Sequence, residues 1–192
     1  MTPGAATEPV PPTRCFLALL PDAASRQALE HCREPVERSS AGAAHGVRFI
    51  DPAALHMTLR FLGDSTRAQV EYLKHVLPGL APALPALAVR RLAIWPNRAR
   101  PRLLVLELAT DAALSSLVHD CETHAHKAGY ELEPHGFRAH VTLARLRPGC
   151  AFGTLPNPST SIAFDSVALL QSTLAQPAAA YTELAREPLA ST

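Results

Sequence analysis

Two short stretches repeat one arrangement, and they constrain this chain more than any other feature: His56-Met57-Thr58-Leu59-Arg60-Phe61-Leu62 and His140-Val141-Thr142-Leu143-Ala144-Arg145-Leu146. Each opens as His-x-Thr-[apolar] and then alternates. Side chains of an extended strand alternate between faces with a period of two. The spacing therefore predicts two strands. His56 and Thr58 share a polar face while Met57, Leu59 and Phe61 point into a core; His140 and Thr142 do the same in front of Val141 and Leu143. Two imidazole–hydroxyl pairs can then be aimed at one ligand.

The surroundings of the two motifs also match. The strand Arg14–Leu20, apolar on both faces and so central, is followed by a helix capped at Pro21-Asp22, with Ala28, Leu29, Cys32 and Val36 on one side. Pro35 is expected to kink or shorten that helix. A short strand over Val47–Ile50 and a Pro52 turn lead to the first motif. Gly63-Asp64-Ser65 is expected to open a helix with a Val70, Leu73, Leu77 stripe, stopped by Pro78-Gly79. A Pro/Ala-rich connector over 80–86 leads to a strand from Leu87 to Trp95. The strand Arg102–Leu108 then begins a second round. Asp111 caps a helix with Leu114, Leu117, Val118, Cys121, Ala125 and Ala128 at helical spacing, and Gly129 closes it. The second motif follows, then strands over Ser161–Leu170 and Tyr181–Leu184 around a Pro177 turn. The lead strands start at Arg14 and Arg102, 88 residues apart, and the motif histidines stand 84 apart. Near-equal offsets for two landmarks indicate an internal duplication. The expected fold is α+β and bilobal: two pseudo-symmetric lobes of mostly antiparallel sheet, helices outside, a cleft between the motif strands. Residues 1–13, with four prolines, read as a disordered tail; 14–192 read as one domain with halves of about 14–95 and 102–184.

The 192 residues suffice for one domain with a sizeable core. A net charge of +1 supplies no global field to recruit a polyanion, so any nucleic-acid contact is local. Arginine makes up nearly all the basic residues, a bias that accompanies abundant Ala and Pro and is read as compositional. Cys15, Cys32, Cys121 and Cys150 lack metal or redox spacing and suit a reducing compartment. No apolar run has membrane-spanning length, and the N-terminus has no apolar signal-peptide core, so a cytoplasmic protein without membrane contact is expected.

Seven histidines, His31, His45, His75, His119, His124, His126 and His135, carry no repeat context and are read as structural or surface residues. A metal site is the main rival for a chain with nine histidines. His119 and His124 fall on different helix faces, and His119 and His126 are separated by about 10 Å at ~1.5 Å per residue. One ion with ligand distances of about 2.0–2.1 Å cannot join them. There is no Gly-x-Ser-x-Gly elbow, no reactive-Cys signature and no Gly-rich phosphate loop. What remains is a pair of imidazoles, no metal and no covalent nucleophile. Two groups with ordinary constants near ~6.5 can divide into a neutral base and a charged acid, the pairing required for in-line displacement at phosphorus. The Thr hydroxyls can donate to phosphate oxygens, and a nearby Arg can neutralise charge.

These residues resemble the two-histidine phosphoesterase superfamily, and within it the bacterial RNA 2′,3′-cyclic phosphodiesterases, also called 2′-5′ RNA ligases. The resemblance covers nearly the whole chain after the tail: Arg14-x-Phe16-x-Ala18-x-x-Pro21, Val47 through Gly63, Trp95-Pro96-Asn97 before Arg100-Pro101-Arg102, and Phe137 through Arg145. It implies a metal-independent hydrolase, needing no cofactor, that opens terminal RNA 2′,3′-cyclic phosphates to 2′-phosphates. By that resemblance His56 is the general acid (proton donor) on the departing 3′-oxygen and His140 the general base (proton acceptor) that activates water. Thr58 and Thr142 would hold phosphate oxygens, and Arg145 would bind phosphate. Strict alternation places Arg145 on the face opposite His140, so the strand must end or bulge before it. Met57 stands where the family usually has Leu, a volume-conserving change. The expected partner is RNA with a cyclic-phosphate end, or a cyclic nucleotide, bound by a monomer. Two alternatives remain: an enzyme on the same scaffold acting on 2′-5′ linkages or small cyclic nucleotides, and a non-catalytic nucleotide- or RNA-binding module. Intact histidines and threonines favour an enzyme.

Overall fold

A fully apolar strand has to be covered on both faces, and β1 (Thr13–Pro21) is: Phe16, Leu17, Ala18 and Leu19 are all buried. A computed structural model describes residues 13–40, 46–150, 152–173 and 180–191. The tail up to residue 12 and the Pro177 turn lie outside the described residues. β1 lies between β3 (Met57–Ser65) and β8 (Phe164–Thr173), and β9 (Ala180–Pro188) extends the sheet in the order β3-β1-β8-β9. The second sheet has the order β2-β6-β5-β4-β7, formed by β2 (Val47–Phe49), β4 (Leu87–Asn97), β5 (Arg100–Leu108), β6 (His140–Leu146) and β7 (Ser161–Ile162). All described pairings are antiparallel. With three helices, α1 (Ala23–Ser40), α2 (Arg67–Val76) and α3 (Ala112–Lys127), the described chain has an α+β fold.

The sequence halves exchange strands. β4 follows the first motif yet forms a hairpin with β5, while β8 follows the second motif and pairs with β1. A single hydrophobic cluster holds side chains of both sheets and all three helices, among them Leu17, Leu29, Leu73, Leu104, Leu114 and Val141. Each motif strand is thus anchored by a partner from its own half and by a core built from both.

Several element boundaries differ from expectation. Pro35 does not end α1, which continues to Ser40. β3 runs through Gly63-Asp64 to Ser65, with Gly63 at φ 68°, and the next helix starts later. Its cap is Thr66: the Oγ1 accepts from Gln69 N–H, and Gln69 Oε1 accepts from Thr66 N–H, a reciprocal arrangement that satisfies both orphan donors. The expected strand over Ser161–Leu170 is two strands in different sheets. The chain crosses at Ala163, whose N–H donates to Ser25 Oγ and whose carbonyl accepts from Asp22 N–H. Asp111 caps α3 through Leu114 N–H at 2.8 Å, and Gly129 follows it at φ 87°, as the sequence indicates.

Both motif strands bulge at the same place. Along β3, Arg60 faces Leu17 and Thr58 faces Ala18, leaving Leu59 unpaired. Along β6, Ala144 faces Leu104 and Thr142 faces Val105, leaving Leu143 unpaired. An extra residue on one strand of an antiparallel pair reverses the faces of everything beyond it. Leu59 and Arg60 are therefore both buried, as are Leu143 and Ala144, and Phe61 and Arg145 come out on the polar face. The expectation that Phe61 points into the core is overturned: it is 62% exposed. For Arg145 the bulge supplies the reversal that strict alternation lacked.

Candidate active site

The two motif strands lie against each other across the sheets, so that Thr58 from β3 and His140 from β6 line one cavity of about 730 Å³. Each histidine is held by the same local device. Nδ1 of His56 lies 2.8 Å from the carbonyl oxygen of Ala54, and Nδ1 of His140 lies 2.7 Å from that of Arg138. Both carbonyls belong to the residue two positions earlier. A carbonyl only accepts, so Nδ1 carries the proton in each neutral ring, and Nε2 is left as the free site of proton exchange. Before His56 the carbonyl is set by a 3-10 turn over Pro52–Ala54, itself capped by Asp51 Oδ1 on Ala53 N–H at 2.8 Å.

Aromatic rings flank both imidazoles. Phe16 and Tyr181 lie 5.0 and 5.1 Å from His56, centroid to centroid, and Trp95 lies 4.4 Å from His140. Behind Trp95 is a charged frame. Glu107, directly across the ladder from His140, accepts from Trp95 Nε1 (2.7 Å), Arg91 Nε (2.8 Å) and Arg138 Nη2 (3.0 Å). The Arg138 guanidinium lies 3.8 Å above the indole ring. Burial acts to raise the Glu107 carboxyl. The hydrogen bonds from Arg91 and Trp95 and the charges of Arg91 and Arg138 outweigh it and hold the group below the usual carboxylate range.

Burial also depresses both imidazoles. For His56 the Ala54 hydrogen bond works upward, and the charges of His140 and Arg145 add to the downward side. For His140 the Arg138 hydrogen bond and Glu107 work upward, Arg138's charge downward, and the net result is again below the ordinary value. His56 therefore senses both His140 and Arg145, which places residues of the two motifs in one electrostatic environment. Of the candidate residues, Thr58 and Thr142 are half-buried and Arg145 is exposed.

The family profile described as LigT like Phosphoesterase matches residues 20–105. Among curated proteins, the RNA 2′,3′-cyclic phosphodiesterase of Bacillus subtilis (strain 168) is 27% identical over 104 residues, 53% of this chain and 57% of that protein. The match thus spans little more than half of the Bacillus relative. The RNA 2′,3′-cyclic phosphodiesterase of Aquifex aeolicus (strain VF5) is 26% identical over 138 residues, 70% of this chain and 71% of that one. Over these residues the chain is similar to the LigT-like phosphoesterases. Solved structures agree on the fold. TT0787 of Thermus thermophilus superposes with a TM-score of 0.75 at 22% identity, covering 92% of this chain and 97% of that one. LigT of E. coli, in complex with 3′-AMP, superposes at 0.72 and 24%, covering 93% and 98%.

The structure gathers residues that sequence reasoning did not single out. Glu107, Arg138, Phe16 and Tyr181 surround the two imidazoles although none belongs to a His-x-Thr motif. The cross-ladder position of Glu107 depends on the register of β5 against β6, and the position of Tyr181 on β9 joining β8. Phe16, Trp95 and Arg138 carried a signal, as part of the segments that resemble the family. Among the described residues no three His, Cys, Asp or Glu side chains gather to hold a metal ion. His124 and His126 are engaged locally, with Tyr72 Oη and the Tyr130 carbonyl. No helix among the described residues is long and apolar enough to cross a membrane.

Proposed function

We propose that this protein is a metal-independent phosphodiesterase that hydrolyses terminal RNA 2′,3′-cyclic phosphates to 2′-phosphates through paired general acid and base histidines. The observation that carries the reading is the matched presentation of His56 and His140. Each ring has Nδ1 tied to a carbonyl, which leaves Nε2 for chemistry, and the charge of His140 reaches His56. The names of the curated relatives point to the same substrate class.

In the proposed reaction His140, neutral, takes a proton from water through Nε2 as the water attacks phosphorus. The bond from phosphorus to the 3′-oxygen breaks in line, and His56, charged, delivers a proton to that oxygen. The hydroxyls of Thr58 and Thr142 donate to the non-bridging oxygens, and Arg145 compensates the charge that builds on them. The product carries its phosphate at the 2′ position, and each imidazole ends in the other's starting protonation state. Exchange with solvent resets the pair.

Phosphorus NMR of the product formed from a nucleoside 2′,3′-cyclic monophosphate tests the reading. A 2′-monophosphate is expected, at a rate unchanged by dialysis against EDTA. A 3′-monophosphate would remove His56 from its role on the 3′-oxygen. Activity lost to EDTA and restored by Zn²⁺, Mn²⁺ or Mg²⁺ would end the metal-independent mechanism.

A further inference from the structure

We infer that Glu107 is a positioning residue for the proposed reaction: from across the strand ladder it holds the two side chains that orient His140, and it balances the guanidinium beside that ring. The inference rests on the proposed reading of His140 as the general base.

A carboxylate inside an apolar strand calls for a reason. β5 ends Leu103-Leu104-Val105-Leu106-Glu107-Leu108, and the Glu107 side chain is 13% exposed. Taking such a group out of water is costly unless donors meet it. Three do, and they divide by oxygen. Oε1 accepts from Trp95 Nε1 at 2.7 Å and from Arg138 Nη2 at 3.0 Å, while Oε2 accepts from Arg91 Nε at 2.8 Å. The Arg91 and Arg138 side chains are 64% and 60% exposed, so water serves them nearly as well. Ion pairs open to solvent add little to stability. The fold gains little from this arrangement; His140 gains its setting.

Both contacts of Oε1 lead to His140. Trp95 lies against the imidazole, ring centroids 4.4 Å apart. Arg138 provides the carbonyl that accepts from Nδ1, at 2.7 Å. Arg138 precedes β6 in an irregular stretch, outside any helix or strand. Its side chain ties it down instead, with Nη2 on Glu107 and the guanidinium 3.8 Å over the indole. One oxygen thus holds both the residue whose carbonyl sets the tautomer and the ring that limits the tilt. Glu107 also faces His140 directly in the ladder, so backbone register fixes the distance between them. Trp95, Arg138 and His140 line the cavity, and Glu107 braces them from behind.

Charge works in the same direction. Glu107 on β5 favours the charged His140 ring, and Arg138 ahead of β6 disfavours it. His56, ahead of β3, is coupled to His140, and Arg91 on β4 is held at the far oxygen of Glu107. A base beside a guanidinium takes up a proton less readily. The carboxylate that grips the guanidinium offsets that cost.

Glu107→Gln and Glu107→Ala, made in the full chain, separate holding from charge. Glutamine offers one oxygen to Trp95 and Arg138 without the charge, and its NH2 group meets Arg91 donor to donor; alanine offers neither. Nitrogen NMR of the His140 ring without substrate is the first readout. Wild type should hold the Nδ1–H tautomer, and titration should give a lower His140 constant in Glu107→Gln than in wild type. Turnover of a nucleoside 2′,3′-cyclic monophosphate is the second. Glu107→Ala should lose kcat roughly 10- to 100-fold, the scale of a reacting group displaced by about 1 Å, with KM near its wild-type value. Glu107→Gln should recover most of that loss, with its kcat/KM bell centred at lower pH than wild type. An unchanged His140 constant and bell in Glu107→Gln overturns the inference, and this variant decides it if Glu107→Ala does not fold. A rise in KM alone overturns it too, since that puts Glu107 in substrate binding. So does lost urea stability with kcat intact, which makes the carboxylate a structural support. If His140 responds to Glu107 by NMR but the protein opens no cyclic phosphate, the positioning stands and the proposed reaction falls. Turnover that requires His140 and ignores Glu107 does the reverse.

Discussion

An imidazole whose Nδ1 proton is held by a carbonyl exchanges protons through Nε2 alone, and both candidate histidines are held that way. Replacing either His56 or His140 with Ala should cut turnover roughly 10²–10⁴-fold, the usual scale for a general acid or base. The double variant should lose less than the product of the single losses, because both groups serve one transition state. Initial rates with a cyclic nucleotide check both expectations; a fully active His140→Ala protein would remove the assignment. Protonation adds a second prediction. Burial lowers both free-protein constants below the ordinary histidine value of 6.5. The base must be neutral, which requires pH above its constant, and the acid charged, which requires pH below its own. The bell in kcat/KM, which belongs to the coupled pair, should therefore centre on the acid side of 6.5. The bell in kcat should move to higher pH, because the bound phosphodiester anion favours both charged rings. Coincident profiles centred above 6.5 would contradict it.

At the level of the strand, the extra residues at Leu59 and Leu143 decide which side chains reach the polar face. Without the bulges Arg145 would be turned away from His140 and Phe61 would be buried. Arg145→Ala should lower kcat/KM by roughly 10²-fold, comparable to removing a donor to a developing anion, whereas an arginine on the opposite face would leave it unchanged. Phe61→Ser should leave stability within about 0.5 kcal/mol, while Met57→Ala, fully buried four residues earlier on the same strand, should cost about 2–5 kcal/mol. Urea denaturation of the two variants measures the contrast. The strands themselves were legible, because alternating apolar residues beside His and Thr admit few other readings. The bulges were not. Leu59 and Leu143 are apolar and suit either face, and Arg60 looks solvent-facing in sequence. Besides the adjacent Phe61 carbonyl, its burial is compensated from far along the chain: Glu122 and Glu133 pair with it, and the Glu131 carbonyl accepts from its guanidinium. No local pattern around residue 60 announces partners more than sixty positions away. The helix caps at Asp111 and Gly129 were readable because cap chemistry is local, whereas Gly63-Asp64-Ser65 offers capping residues just ahead of Thr66, the residue that caps the helix.

Across the whole molecule the duplicated motifs are visible in one dimension, but the strand exchange that locks the halves together is not. Nothing near Leu87 or Phe164 states which half's sheet each strand will join, because pairing is settled by the core they complete, Leu92 and Ile94 on one side and Val167 and Leu169 on the other. That shared core carries both histidines in environments that resist charge, so folding and protonation are linked. For a histidine whose folded-state constant is depressed, the unfolded chain binds the proton first as pH falls. Above 6.5 both states are neutral at these positions, and stability is flat in pH from this source. From 6.5 down through the lowered folded-state constants the unfolded chain holds more protons, and stability declines. Glu107 acts in a separate, more acidic window. Its depressed constant contributes stability above the ordinary carboxylate value of 4.5, and that contribution is lost as pH falls through the folded-state value. The expected profile of Tm against pH has a plateau above 6.5, a first decline below it and a second below 4.5. His56→Gln, whose amide can still donate to the Ala54 carbonyl but does not titrate, should make the first decline shallower and leave the second in place. A variant with the wild-type slope between those two pH values would show that His56 is not held against protonation by the fold.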